Sequence, residues 1–98
     1  MARINLPFHQ HKFSELYWRI LTNKCEEISI YDAAKRGIIR IIRDESESGR
    51  KNWTVTIEVL NEDEIACFIE EKVNSMGEVE RKMWTLTEIE YEFGEGDE

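Results

Sequence analysis

The sequence predicts an α+β fold, with one or two N-terminal helices packed on an antiparallel β-meander of three to four strands. Three observations carry that expectation. Residues 12–24 place apolar side chains at helical spacing. Residues 53–59 alternate apolar and polar side chains with the period of a strand. Residues 66–86 can be paired as a hairpin in which opposite charges meet.

Taken in order, residues 1–11 read as a lead-in that contains the chain's single proline, Pro7. Phe13, Leu16, Tyr17, Ile20 and Leu21 then fall on one face of a helix that ends near Asn23 or Lys24. Ser29 followed by Asp32 resembles a capping box and opens a short helix over 30–36, which Gly37 stops. Residues 38–43, rich in isoleucine, favour a strand over a continued helix. A polar loop leads to the strand Trp53–Val59.

Residues 62–76 satisfy a helical pattern too, and cross-strand pairing decides against it. A loop of Ser75, Met76 and Gly77 sets Val73 opposite Val79, Lys72 opposite Glu80, Glu71 opposite Arg81 and Glu70 opposite Lys82. Ile69 then meets Met83, Phe68 meets Trp84, and Ala66 meets Leu86. A turn at Glu62 and Asp63 would set Val59 opposite Ala66, so the expected core face collects Trp53, Val55, Ile57, Val59, Ala66, Phe68, Trp84 and Leu86. After Thr87 the alternation changes phase, which predicts a bulge or the end of the strand. Residues 1–93 thus read as one domain and 94–98 as a disordered acidic tail.

The totals bound the function. The chain has 98 residues, of which 41% are hydrophobic and 35% charged, enough for one modest core. No apolar run of about 18 residues exists to span a membrane, and residues 1–12 carry no secretory pattern. A cytoplasmic protein with reduced Cys25 and Cys67 is expected. The net charge of −8 is uneven: residues 1–43 carry +4 and residues 44–98 carry −12. This polarity suggests either internal charge complementarity or two surfaces of opposite sign, and a variant of the latter is an acidic half that mimics nucleic acid.

No catalytic motif stands out. His9, His11, Cys25 and Cys67 match no zinc-module spacing, so no metal and no cofactor is expected. Nucleophilic catalysis needs a cysteine or serine beside a histidine base, and the sequence places none. Two surfaces remain as candidates. Ile69, Val73, Val79 and Met83 lie on the sheet face opposite the expected core and form an apolar patch suited to a protein partner or a homodimer. Lys35, Arg36, Arg40 and Arg43 form a basic group that suits phosphate contacts. The expected function is therefore a non-enzymatic protein-interaction module, with nucleic-acid binding through 35–43 as the alternative.

Overall fold

A computed structural model of the chain describes residues 3–94. It is a mostly β protein. The strands are β1 (Arg3–His11), β2 (Ser14–Thr22), β3 (Glu27–Ser29), β4 (Ile39–Asp44), β5 (Asn52–Val59), β6 (Ile65–Asn74) and β7 (Val79–Trp84). The helices are α1 (Ile30–Lys35) and α2 (Leu86–Phe93). All neighbours are antiparallel in the order β4-β5-β1-β2-β6-β7, and β3 pairs with β2.

The expected N-terminal helix is not there. Residues 12–24 contribute β2 and the turns at its ends, and the lead-in is β1 at the centre of the sheet. The helical reading passed over Trp18. With it, Trp18, Ile20 and Thr22 alternate and are buried, while Arg19 and Leu21 face the other way. β1 alternates likewise, burying Ile4, Leu6 and Phe8. A proline within a strand lacks a ladder donor, and the ladder shows why Pro7 is tolerated. The Gln10 N–H bonds to Lys51 O, so the even-numbered groups of β1 face β5 and the odd-numbered ones face β2. Only His9, Gln10 and His11 pair with β2, so the position of Pro7 asks for no ladder donor. Its carbonyl instead accepts the Trp18 indole N–H at 2.8 Å.

The gap between β1 and β2 shapes the molecule. Directly opposed residues share a face, so a flat continuation of the His9–Leu16 pair would put Phe8 and Trp18 on opposite faces. Both lie in one core cluster. The strands therefore part and the sheet folds over, with β4-β5-β1 contributing Ile39, Val55, Ile57 and Leu6 against Ile20, Phe68 and Trp84 from β2-β6-β7. β3 takes the edge of β2 that β1 leaves, pairing Ile28 with Ile20.

α1 agrees with the sequence. The Ser29 hydroxyl accepts the Asp32 N–H at 3.0 Å, and Gly37 sits at a φ of 78° beyond the last turn. Strand β4 follows as expected. α2 was missed, because Ile89, Tyr91 and Phe93 read as a strand. Thr85 and Glu88 form a reciprocal capping box, with the Glu88 N–H donating to Thr85 Oγ1 at 3.1 Å and the Thr85 N–H to Glu88 Oε1 at 2.9 Å. Ile89 then enters the core, and Phe93 packs edge-on against Trp18 and Trp84, while Tyr91 is 87% exposed.

The β6–β7 hairpin has the expected register, from Phe68–Trp84 through Val73–Val79. The β5–β6 hairpin does not exist, since β1 and β2 lie between those strands. Ala66 is consequently exposed, and Trp53 and Leu86 are half-buried at the core margin. The four residues 95–98 of the expected tail lie outside the described residues; Gly94 forms an isolated bridge with Ile4. Among the described residues no helix is long and apolar enough to cross a membrane.

Candidate functional site

The outer face of β3-β2-β6-β7 is the first candidate. Both helices turn their buried residues, Ile30, Ala33 and Ile89, into the core on the other side, and neither covers this face. Cross-strand pairing puts Glu15, Val73 and Val79 in one row, Tyr17, Glu71 and Arg81 in the next, and Arg19, Ile69 and Met83 in a third. The four apolar residues picked from the sequence do share this face. They are not one patch. Arg81 and Glu71 lie between Val79–Val73 and Met83–Ile69, joined at 3.0 Å.

Arg81 also reaches Glu27 on β3 at 2.5 Å, so its side chain lies across the face, and Arg19 approaches the same carboxylate at 3.7 Å. This cluster roofs Ile69, which is fully buried yet lies outside the main core cluster. The hydrogen bond from Arg81 holds Glu27 below the usual carboxylate range. Burial, then the Glu71 carboxylate, pushes the Tyr17 phenol up, and burial raises the Cys67 thiol.

Val79 is 53% exposed, Met83 60% and Met76 in the hairpin turn 81%. β7 is paired on one side only, and no strand among the described residues takes its outer edge. The end of the β6–β7 hairpin is thus an arm with a partly apolar outer face and a free backbone edge.

The second candidate is a concavity of about 780 Å³ beside the same arm. Its floor is a row across five strands: Asn52, His9, Leu16, Lys72 and Glu80. His9 Nδ1 meets Asn52 Oδ1, and His9 Nε2 lies 2.9 Å from Ser14 Oγ. The Nδ1–H tautomer donates to Asn52 and leaves Nε2 to accept the serine hydroxyl. The expected lead-in and helix hid this serine–histidine pair, because Ser14 and His9 meet only in the β1–β2 hairpin, and Asn52 joins them through the β1–β5 register. Its chemistry is modest. Asn52 carries no charge to stabilise an imidazolium, and the register alone accounts for the contacts.

Two of the four residues of the basic group are occupied. Arg36 pairs with Glu26 at 2.8 Å and Arg40 with Glu58 at 2.5 Å. Lys35 and Arg43 are exposed without an ion pair among the described residues. His9 and His11 stack on each other, Cys25 sits exposed in the β2–β3 turn, and Cys67 lies half-buried on β6. No group of three or more His, Cys, Asp or Glu side chains among the described residues is placed to hold a metal.

No family model, no curated protein and no solved structure matches this chain.

Proposed function

We propose that the protein is a non-enzymatic interaction module, acting in the cytoplasm, that binds another protein through the β6–β7 arm. One observation supports this reading above the others. The arm exposes Val79 and Met83 on a sheet face that neither helix covers and Met76 at its turn, beside an unpaired strand edge. The surrounding charges, Glu71, Glu78, Glu80, Arg81 and Lys82, give the polar border that a specific contact uses. Nucleic-acid contact through Lys35, Arg36, Arg40 and Arg43 has less support, since two of the four are held by internal acids.

A photo-crosslinking side chain placed at Val79 or Met83 in the native host tests the reading, with Arg50 as a distant control. The expected result is a discrete protein adduct from positions 79 and 83 and none from 50. Equal, diffuse labelling from all three positions overturns it.

The Ser14–His9–Asn52 contacts favour a second reading, an acyl-transfer enzyme with Ser14 as nucleophile and His9 as base. It requires turnover of p-nitrophenyl acetate that Ser14→Ala abolishes. The interaction reading expects no turnover above that of free imidazole.

A further inference from the structure

We infer that a second copy of this chain adds to the β7 edge, antiparallel, about a two-fold axis through Arg81. The inference rests on the arm as the interaction surface and names its partner.

The backbone sets the first condition. The Asn74 N–H bonds to Glu78 O in the β6–β7 turn. Hydrogen-bonded pairs alternate along an antiparallel ladder, so Glu80 and Lys82 turn their backbone groups towards β6. Val79, Arg81 and Met83 turn theirs outward, to the free edge. A two-fold axis normal to the sheet keeps each face on its own side, so only residues of the same parity can oppose one another across the axis. With the axis at Arg81, the outward groups of Arg81 meet those of its copy, and Val79 meets Met83 of the second copy. Every outward amide from Val79 to Met83 then has a partner.

The side chains set the second condition, and they choose this register over its neighbours. On the outer face, Val73 and Val79 of one copy continue into Met83 and Ile69 of the other. Val79 and Met83, which Arg81 separates within one chain, then stand side by side across the axis, with Ile69 buried at the end of each row. On the inner face, Lys72 and Glu80 continue into Lys82 and Glu70 of the second copy, an alternation of charge across four strands. An axis at Glu80 opposes two glutamates and sets Val79 against Arg81. An axis at Lys82 opposes two lysines and sets Met83 against Arg81. The chosen register opposes two arginines, but each Arg81 is drawn back across its own chain to Glu71 and Glu27. Face-to-face packing of two sheets fares worse, because it would bury this whole charged cluster.

The test uses charge reversal and sedimentation at ~0.1 M salt, with protein on the order of 100 µM. The wild type is expected to be a dimer. Glu80→Lys and Lys82→Glu are each expected to be monomeric, because each opposes like charges twice. An equimolar mixture of the two variants is expected to regain the dimer, since residue 80 of one copy faces residue 82 of the other. Val79→Pro removes an outward N–H without touching the β6 ladder and is expected to be monomeric with unchanged circular dichroism. A monomeric wild type, a Glu80→Lys variant that stays fully dimeric, or a mixture that stays monomeric overturns the inference. The arm reading survives that failure if positions 79 and 83 crosslink to a different protein, and falls with it if they crosslink to nothing.

Discussion

β5 and β7 have similar sequence credentials and opposite fates. The alternation of Trp53, Val55, Ile57 and Val59 predicts β5, and charge pairing with β6 predicts β7. β5 lies between β1 and β4 and buries Val55, Thr56, Ile57 and Val59. β7 lies at the end of the sheet and buries only Trp84. The difference comes from the neighbours. β5 is paired along both edges, and the folded-over half of the sheet covers its inner face. β7 has one paired edge among the described residues, and apart from Trp84 its residues are exposed. Alternation therefore tells which side chains share a face and leaves open whether that face meets a core or a partner. In this molecule the β5 end lies within the core, and the β7 end carries the proposed interaction arm.

Substitution should separate the two regions sharply. Trp18→Ala or Phe68→Ala is expected to cost about 3–5 kcal/mol, through lost burial and a cavity in the core. Val79→Ala and Met83→Ala are expected to change monomer stability by no more than ~0.5 kcal/mol. Urea unfolding at a concentration where the wild type is monomeric reads both. A loss at Met83 comparable to that at Phe68 would erase the distinction.

The boundary between the regions is Glu70, which sits on the core-side face of β6 and is 9% exposed. Its carboxylate accepts the Trp84 indole N–H at 3.1 Å, and the Lys82 ammonium lies 4.1 Å over the same ring. Glu70→Leu leaves the indole N–H without its acceptor and is expected to cost about 1–3 kcal/mol. Glu70→Gln keeps an acceptor and is expected to cost less than half as much. Equal losses would show that the hydrogen bond is not what holds Trp84. A smaller effect is expected at Thr85→Ala, about 1 kcal/mol from the lost cap. It should also weaken the near-UV signal of Trp18 and Trp84, because α2 carries Phe93 against both rings.

What the sequence disclosed follows the range of the interactions. The β6–β7 hairpin was legible because its pairing is local and its charges are complementary, and α1 because Ser29, Asp32 and Gly37 act within a few residues. The Thr85–Glu88 capping box was equally local and was hidden only by the competing alternation of Ile89, Tyr91 and Phe93. β1 and β2 failed for a physical reason. Phe13, Leu16, Tyr17, Ile20 and Leu21 fit a helical face, and Pro7 opposes a strand, unless the gap between β1 and β2 is known. That gap is a property of the folded sheet. Ile69, Val73, Val79 and Met83 do fall on one face, but Ile69 is buried there, and the Arg81 side chain that divides the others follows a path across β6 and β2 that no pairing rule supplies.

The finest test of the comparison is acid. Hydrogen bonds from Arg81 on the arm and from Arg36 beside α1 hold Glu27 and Glu26 below the usual carboxylate range. Asp44, at the end of β4, is also held low, because hydrogen bonds from Ser46 and Tyr31 outweigh the effect of its burial. In each case the folded chain gives up the proton more readily than the unfolded chain. The stabilisation is complete above the unfolded pKa, near pH 4, and is lost as the pH falls through the depressed folded value. The urea midpoint should therefore drop as the pH is lowered from about 5 to about 3. Arg81→Met should flatten that drop by releasing Glu27, and Arg36→Met should do the same for Glu26. Both effects should shrink at ~1 M salt, because these pairs are open to solvent. A variant that lowers the midpoint by the same amount at every pH would mean that Arg81 acts only by packing over Ile69. The charged cluster on the outer face would then be a roof for one side chain and no part of the molecule's electrostatics.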